Sequence, residues 1–332
     1  MIFDTIFTKQ AGVEFPIMCG AMYPCSNPEL VAAVSEAGGL GIIQPLSLTY
    51  VHGYDYLEGI RYIRRLTKKP VALNATVEKS SKIYEDRMRK WIDIGIEEGI
   101  RFFDTSLGNP KWIVEKAHAV GGIVYHKVTE RKWALKAVEA GVDGLIAVND
   151  RAGGHAGNHD LRRLLDDIRD LGLPVICGGG IGDEKDFVEA INMGYAGVMM
   201  ATRFIATEEC TAHADYKKAI VDAGETDIVH TERVTGVPLS VIRTEYVDRV
   251  GIKAGWLART LLKHRQLKKI MRLIYALRSL RQLKKSSLNG KMSSKDYYQA
   301  GKSVHGIHSI ENVKSIVNRF VLEAQTVRPI ET

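Results

Sequence analysis

Polar and apolar positions recur on one rhythm through the first part of the chain. A helical stretch with an apolar face ends in glycine, and a short apolar run follows: SEAGGLGII, IEEGIRFFD, HAVGGIVYH, VEAGVDGLI and INMGYAGVMM. Glycine suits the left-handed residue that closes a helix, and the run after it has the length of a buried strand. Each motif therefore reads as the junction between a helix and the next strand. Eight strands are predicted, at 16–20, 39–43, 71–77, 102–106, 122–128, 144–149, 174–180 and 197–202. Helix starts fall between them at Asn27-Pro28, Asn109-Pro110 and Asp183.

Continuously apolar strands suit a parallel sheet covered by helices, and eight right-handed β/α steps close into a (β/α)8 TIM barrel. A doubly wound open sheet would call for fewer strands and a G-x-G-x-x-G loop after the first, where this chain reads GAMYPCSNPEL. After residue 205 the rhythm breaks. A helix around 211–224, a polar connection, a basic stretch and a last amphipathic helix, NVKSIVNRFVLEAQ, follow. The predicted organisation is a barrel core over 1–225, a helical insertion or cap over 226–305, and a C-terminal helix over 306–332 that packs back on the barrel.

Composition adds constraints. The 332 residues are 45% hydrophobic and 26% charged, which fits a chain with a sizeable core and argues against disorder. The N-terminus has no secretory pattern, and no apolar run reaches the ~18 residues of a membrane span. Cys19, Cys25, Cys177 and Cys210 are scattered, without zinc spacing, so a reducing cytoplasm is expected and no metal. Net charge is +7, yet residues 253–295 hold thirteen Lys or Arg and no acid, leaving the rest of the chain at −6.

In a barrel, chemistry gathers at the C-terminal ends of the strands. Gly178, Gly179 and Gly180 end the seventh strand, where backbone N–H groups without side chains can meet a phosphate. Ala201, Thr202 and Arg203 after the eighth would add N–H groups, a hydroxyl and a cation. Gly20, Ala21 and Met22 would let a flat ring lie on backbone, and Asn74 offers both a donor and an acceptor to a ring edge. Phosphate on one side of the mouth and a flat heterocycle across it describe FMN.

The ordered set PIMCGAM, AGGLG, KPVALNAT, AGGHAG, GGGI and VMMATRF resembles the nitronate monooxygenase family, formerly 2-nitropropane dioxygenases, over about residues 5–225 and more weakly over 297–325. Flavin-dependent enoyl-acyl-carrier-protein reductases and NADH:quinone reductases are related to it. The resemblance implies an FMN-dependent oxidoreductase that oxidises nitronates with O2, with His155 of AGGHAG as the catalytic residue facing the flavin. It places FMN contacts on Asn74, Gly153, Gly179 and the run Met199, Met200, Ala201, Thr202, with Gly20, Ala21 and Met22 near the ring. Lys127 is a candidate for a cationic wall that favours an anionic substrate.

The chain departs from the family pattern at Val148, Arg151, Ala201 and Lys302. Cationic Arg151 and Lys302 near the mouth would suit a more acidic substrate than a simple nitroalkane. NAD(P)H-dependent reduction of quinones or enoyl thioesters is therefore the alternative activity. A flavin-binding protein docked to an anionic membrane or acidic partner through 253–295 is the alternative of another class. Three further readings are set aside: a His155/His159 metal pair, because Gly157 and Asn158 break the helix between them; a phosphate loop at Gly301-Lys302-Ser303, because Asp296 stands where its first glycine belongs; and nucleic-acid binding by the basic stretch, which lacks interleaved aromatics. A homodimer is the base-rate expectation for a soluble enzyme.

Overall fold

A computed structural model describes residues 3–78, 81–253, 267–289 and 297–327. Much of the basic stretch, at 254–266 and 290–296, lies outside the described residues, as does the tail 328–332. Eight parallel strands form the core: β1 (Ile17–Cys19), β2 (Gly41–Ile43), β3 (Val71–Val77), β4 (Phe102–Leu107), β5 (Ile123–Val128), β6 (Gly144–Val148), β7 (Val175–Gly178) and β8 (Gly197–Met200). From β2 to β8 each strand pairs with the next in sequence, and β8 pairs with β1 at Ile17–Val198, Met18–Met199 and Cys19–Met200. A Met18–Leu40 bridge joins β1 to the residue before β2, so the ring closes. The sequence rhythm placed all eight strands, because the fully apolar runs and the glycines at the helix ends mark the same boundaries.

Side chains alternate across each strand, and the two faces bury different sets. Ile17, Cys19, Leu73, Leu145, Ala147, Val175, Val198 and Met200 pack outward against the helices. Met18, Ile42, Ala72, Phe102, Tyr125, Ile146, Ile176 and Met199 fill the lumen. The short helix Ile6–Ala11 closes the lower end: Phe7 is fully buried, with its ring centroid 5.9 Å from those of both Phe102 and Tyr125. A phenylalanine buried to that extent contributes ~2–3 kcal/mol. The lumen is a packed core, which leaves the upper rim as the place for a site.

The chain leaves the barrel after β8 and returns with the helix Val313–Val327. That helix lies against Pro28–Glu36 and Glu184–Met193, the helices after β1 and β7, in the slot where the eighth barrel helix belongs. Phe320 meets Phe187 at 5.8 Å between ring centroids, and Arg319 pairs with Glu184 at 3.2 Å.

The intervening segment was read as helical, but it also contains an antiparallel hairpin, β9 (Ile228–Thr231) with β10 (Leu239–Ile242). Its strands are only four residues long, and Gly236, at φ +77°, lies in the connection between them. Short strands inside a polar stretch give no periodicity long enough to announce them. Val234, Leu239, Val241, Val247, Leu283 and Tyr297 form a small second core between the hairpin and the helix Leu267–Asn289. That helix is tied to the segments that follow β1 and β2. The Tyr23 hydroxyl donates to Leu280 O at 2.7 Å, and Lys284 Nζ donates to Tyr50 O at 2.7 Å.

Candidate active site

Alternation places one residue of every strand in the top lumen layer: Gly20, Gln44, Asn74, Asp104, Lys127, Val148, Gly178 and Met199. This layer has two halves. Polar side chains occupy β2 to β5, and small or apolar residues occupy β6 to β8 and β1.

The polar half centres on Asp104, which is fully buried. Its Oδ2 accepts from Asn74 Nδ2 at 3.0 Å and forms an ion pair with the Lys127 ammonium. The second Asn74 amide hydrogen goes to Asp104 O at 3.2 Å. Both Asn74 donors are thereby spent, and its Oδ1, with only a 3.5 Å contact from Thr76 Oγ1, is left to accept an N–H from a ring edge. Asp104 Oδ1 is buried without a hydrogen-bond partner among the described residues. Such an atom is costly to leave unsatisfied, and a ligand donor at the mouth would satisfy it.

The small half is built of backbone. Gly179 and Gly180 have φ of +122° and +85°, and a Cβ on Gly179 would lie 2.5 Å from Asn149 Oδ1. Among the described residues, none accepts a hydrogen bond from the N–H groups of Gly179, Gly180, Ala201 or Thr202. Four free donors around glycines that tolerate no side chain fit a phosphate group. The helix Glu184–Met193 does not offer its own N-terminus to that phosphate: Asp183 caps it, and Asp186 Oδ2 takes the Gly182 N–H at 2.8 Å. His305 Nε2 also reaches Asp186 Oδ2, at 3.2 Å. Asp183, Asp186 and His305 have ligand-type atoms within 4.8 Å of one another, but they serve as a helix cap and its histidine partner.

Asn149 ties the loop after β6 to these glycines. It is fully buried, donates to Gly179 O at 2.9 Å through Nδ2, and accepts the Arg151 N–H at 2.9 Å. Gly153 lies against the late segment, where a Cβ would meet Gly301 N at 2.9 Å, and Gly301 N itself donates to Thr202 Oγ1 at 3.1 Å. Gly154, at φ +70°, pairs with Ser240 of β10, whose N–H donates to Gly154 O at 2.7 Å. His155 follows directly. Its imidazole is exposed and has Thr235 Oγ1 3.2 Å from Nε2. Partial desolvation beside the loop lowers its pKa below the usual histidine value.

Several sequence expectations change. Met200 and Met22 are buried in the layer between barrel and helices, so only their backbones border the mouth; Met200 O accepts the Gly20 N–H at 2.8 Å. Met199 faces the lumen, where its Cγ would be 3.4 Å from a Cβ on Gly20, and Ala21 packs beside the same cluster. Arg203 supplies no charge to a phosphate. It is buried, donates from Nη2 to Ala206 O and Ser309 O at 2.8 and 2.7 Å, and has its pKa lowered to about 10 by desolvation. Arg151 and Lys302 are not free cations at the mouth: Arg151 pairs with Glu225, and Lys302 lies 3.6 Å from Asp150 Oδ2.

His126 faces away from the lumen. Its Nδ1 lies 2.8 Å from Thr105 Oγ1, and burial, helped by the charge of Lys127, lowers its pKa to about 4. The four cysteines are buried free thiols, with Cys177 pushed up to about 12 by desolvation.

Asp104, Asn149 and Thr235 are parts of the site that sequence reasoning did not single out. Asp104 carried a usable signal, a lone acid two positions after Phe102 on the lumen face of an apolar strand. Thr235 carried none, since it arrives through the hairpin.

The model of the nitronate monooxygenase family matches residues 4–323. A probable nitronate monooxygenase of Staphylococcus saprophyticus is 29% identical over 296 residues, covering 75% of this chain and 81% of that protein. A 5-hydroxy-7a-methyl-1-oxo-octahydro-1H-indene-4-carboxyl-CoA dehydrogenase of Rhodococcus jostii is 30% identical over 245 residues, covering 74% and 67%. The solved structure of FabK from Thermotoga maritima superposes with a TM-score of 0.79 at 28% identity, covering 97% of this chain and 96% of that one. A family match across nearly the whole sequence, on a closed barrel whose rim holds the AGGHAG histidine, settles the affiliation: this chain belongs to the nitronate monooxygenase family of flavin-dependent oxidoreductases.

Proposed function

We propose that this protein oxidises alkyl nitronates on bound FMN, with His155 as the catalytic residue. The observation that supports the reading is a mouth divided into a polar half and a half of bare backbone, with His155 on the loop that follows β6. Gly179, Gly180, Ala201 and Thr202 would hold the phosphate through their N–H groups. Asn74 Oδ1 and the Lys127 ammonium, both fixed by Asp104, would meet the polar edge of the ring. Bound FMN would supply the electron-transfer chemistry between the substrate and O2.

His155 then acts from the open face. Its lowered pKa favours the neutral imidazole near neutral pH, able to take a proton from the carbon of a neutral nitroalkane. The hairpin and the 300–302 chain hold the loop that carries it, through Ser240 N on Gly154 O and Lys302 N on Arg151 O.

A second reading is reduction of an enoyl thioester or quinone by NAD(P)H. It is favoured by the composition of the helix Leu267–Asn289, which has seven Lys or Arg and no acid, a charge suited to a phosphate-bearing acyl carrier. The similarity to FabK and to a carboxyl-CoA dehydrogenase supports it.

Anaerobic mixing of the flavin-loaded protein with propionate 3-nitronate, NADH or NADPH separates the two. A change in the flavin spectrum with the nitronate alone supports nitronate oxidation. Rapid bleaching by a pyridine nucleotide overturns it in favour of the second reading, and silence toward all three leaves a flavin-binding protein that docks through its basic helix.

A further inference from the structure

Thr235 lies in the hairpin connection, eighty residues beyond His155, yet the two are held in one frame. Ser240 of β10 is hydrogen-bonded to Gly154, the residue next to His155, and Gly236 N donates to Glu232 O at 2.9 Å to fold the connection back. Thr235 Oγ1 consequently has two neighbours, His155 Nε2 at 3.2 Å and Val237 O at 3.0 Å.

A hydroxyl has one proton and two lone pairs. Val237 O can only accept, so the Thr235 proton must point to it; otherwise two lone-pair oxygens would face each other at 3.0 Å. With that proton committed, Thr235 Oγ1 can only accept from the imidazole.

We infer that Thr235 is a positioning residue that fixes the Nε2–H tautomer of His155 and leaves Nδ1 as the lone pair for substrate. This rests on the catalytic reading of His155 and extends it by naming the atom. Nδ1 is the ring nitrogen that takes the carbon proton or accepts a hydrogen bond, while the Nε2–H stays on the threonine. The hydroxyl also restrains the ring, so that Nδ1 keeps one direction when substrate enters. A valine at this position has nearly the same shape and no acceptor. A serine restores the acceptor.

The test is a two-bond nitrogen–proton correlation spectrum of the 15N-histidine-labelled, flavin-loaded protein above the His155 pKa, with His155→Gln used to assign the signal. The expected wild-type pattern is a protonated Nε2 and an unprotonated Nδ1. In Thr235→Val the tautomer ratio should shift roughly fivefold toward Nδ1–H, the weight of one net hydrogen bond. Thr235→Ser should restore both the pattern and kcat, while KM stays near wild type in both variants. A wild-type Nδ1–H tautomer, or a Thr235→Val spectrum identical to wild type, overturns the inference without touching the role of His155. Full activity in His155→Ala would remove that role and leave the tautomer result standing.

Discussion

Lys127 and Asn74, on neighbouring sides of β4, meet on the same oxygen of Asp104: the ammonium pairs with Oδ2, and the amide nitrogen lies 3.0 Å from it. One buried carboxylate thus orients the two side chains assigned to the flavin edge. Removing it strands a cation in the lumen and frees the Asn74 amide to flip.

Breaking a buried pair of this kind costs ~3–5 kcal/mol, because the remaining charge has no partner. Asp104→Ala is expected to lower Tm by about 4–7 °C and to weaken FMN binding. Differential scanning calorimetry with and without FMN checks both. An unchanged Tm contradicts the pairing, and unchanged FMN affinity contradicts the link to the cofactor.

His155→Ala should retain FMN and lose roughly 10²–10⁴-fold in kcat, the usual worth of a positioned acid or base. Because the His155 pKa is lowered, the midpoint of the acid limb of the wild-type rate should fall below the ordinary histidine value. Steady-state kinetics with a neutral nitroalkane read this directly. A midpoint at or above that value contradicts the lowered pKa.

Gly179→Ala places a methyl group 2.5 Å from Asn149 Oδ1 at φ +122°. Strain at such a position costs ~1–3 kcal/mol, and the methyl also collides with Ala152 N at 2.7 Å, displacing the loop that packs on the glycines. The purified variant should emerge largely colourless. Gly53→Ala is the control, since φ is +75° there but nothing lies within 4 Å of the new Cβ. It should pay backbone strain and keep its flavin.

Stability should carry the mark of His126. Its folded pKa, about 4, lies below the ordinary 6.5, so the unfolded chain binds the proton first as pH falls. Stability is therefore intact above about 6.5 and is lost progressively toward pH 4, by ~3 kcal/mol for this one group. Urea unfolding of His126→Gln beside wild type isolates the effect. The variant should lose less stability than wild type on acidification, and equal losses would show that His126 does not titrate in this way.

The barrel was legible because its signals are local and repeat. Glycine at each helix end and an unbroken apolar run after it mark every junction, and the motif AGGHAG names its own histidine. The mouth was legible only where backbone does the work, as at Gly179 and Gly180. Which face a strand residue takes depends on register across the ring, so Met200 looked like a site residue until alternation turned it outward. Arg151, Arg203 and Lys302 looked like free cations because their partners, Glu225, Glu311 and Asp150, are assigned by folding rather than by spacing. Thr235 is the extreme case. Its meeting with His155 depends on a hairpin of two four-residue strands that no periodicity predicts.

The most direct measurement is a calorimetric titration of the flavin-free protein with FMN and, separately, with riboflavin. One FMN should bind per chain, and riboflavin should bind roughly a hundredfold more weakly, because it forfeits two or so charge-assisted hydrogen bonds from the glycine loop. No uptake of FMN, or equal affinity for riboflavin, would mean that the bare backbone beyond β7 and β8 is not a phosphate site.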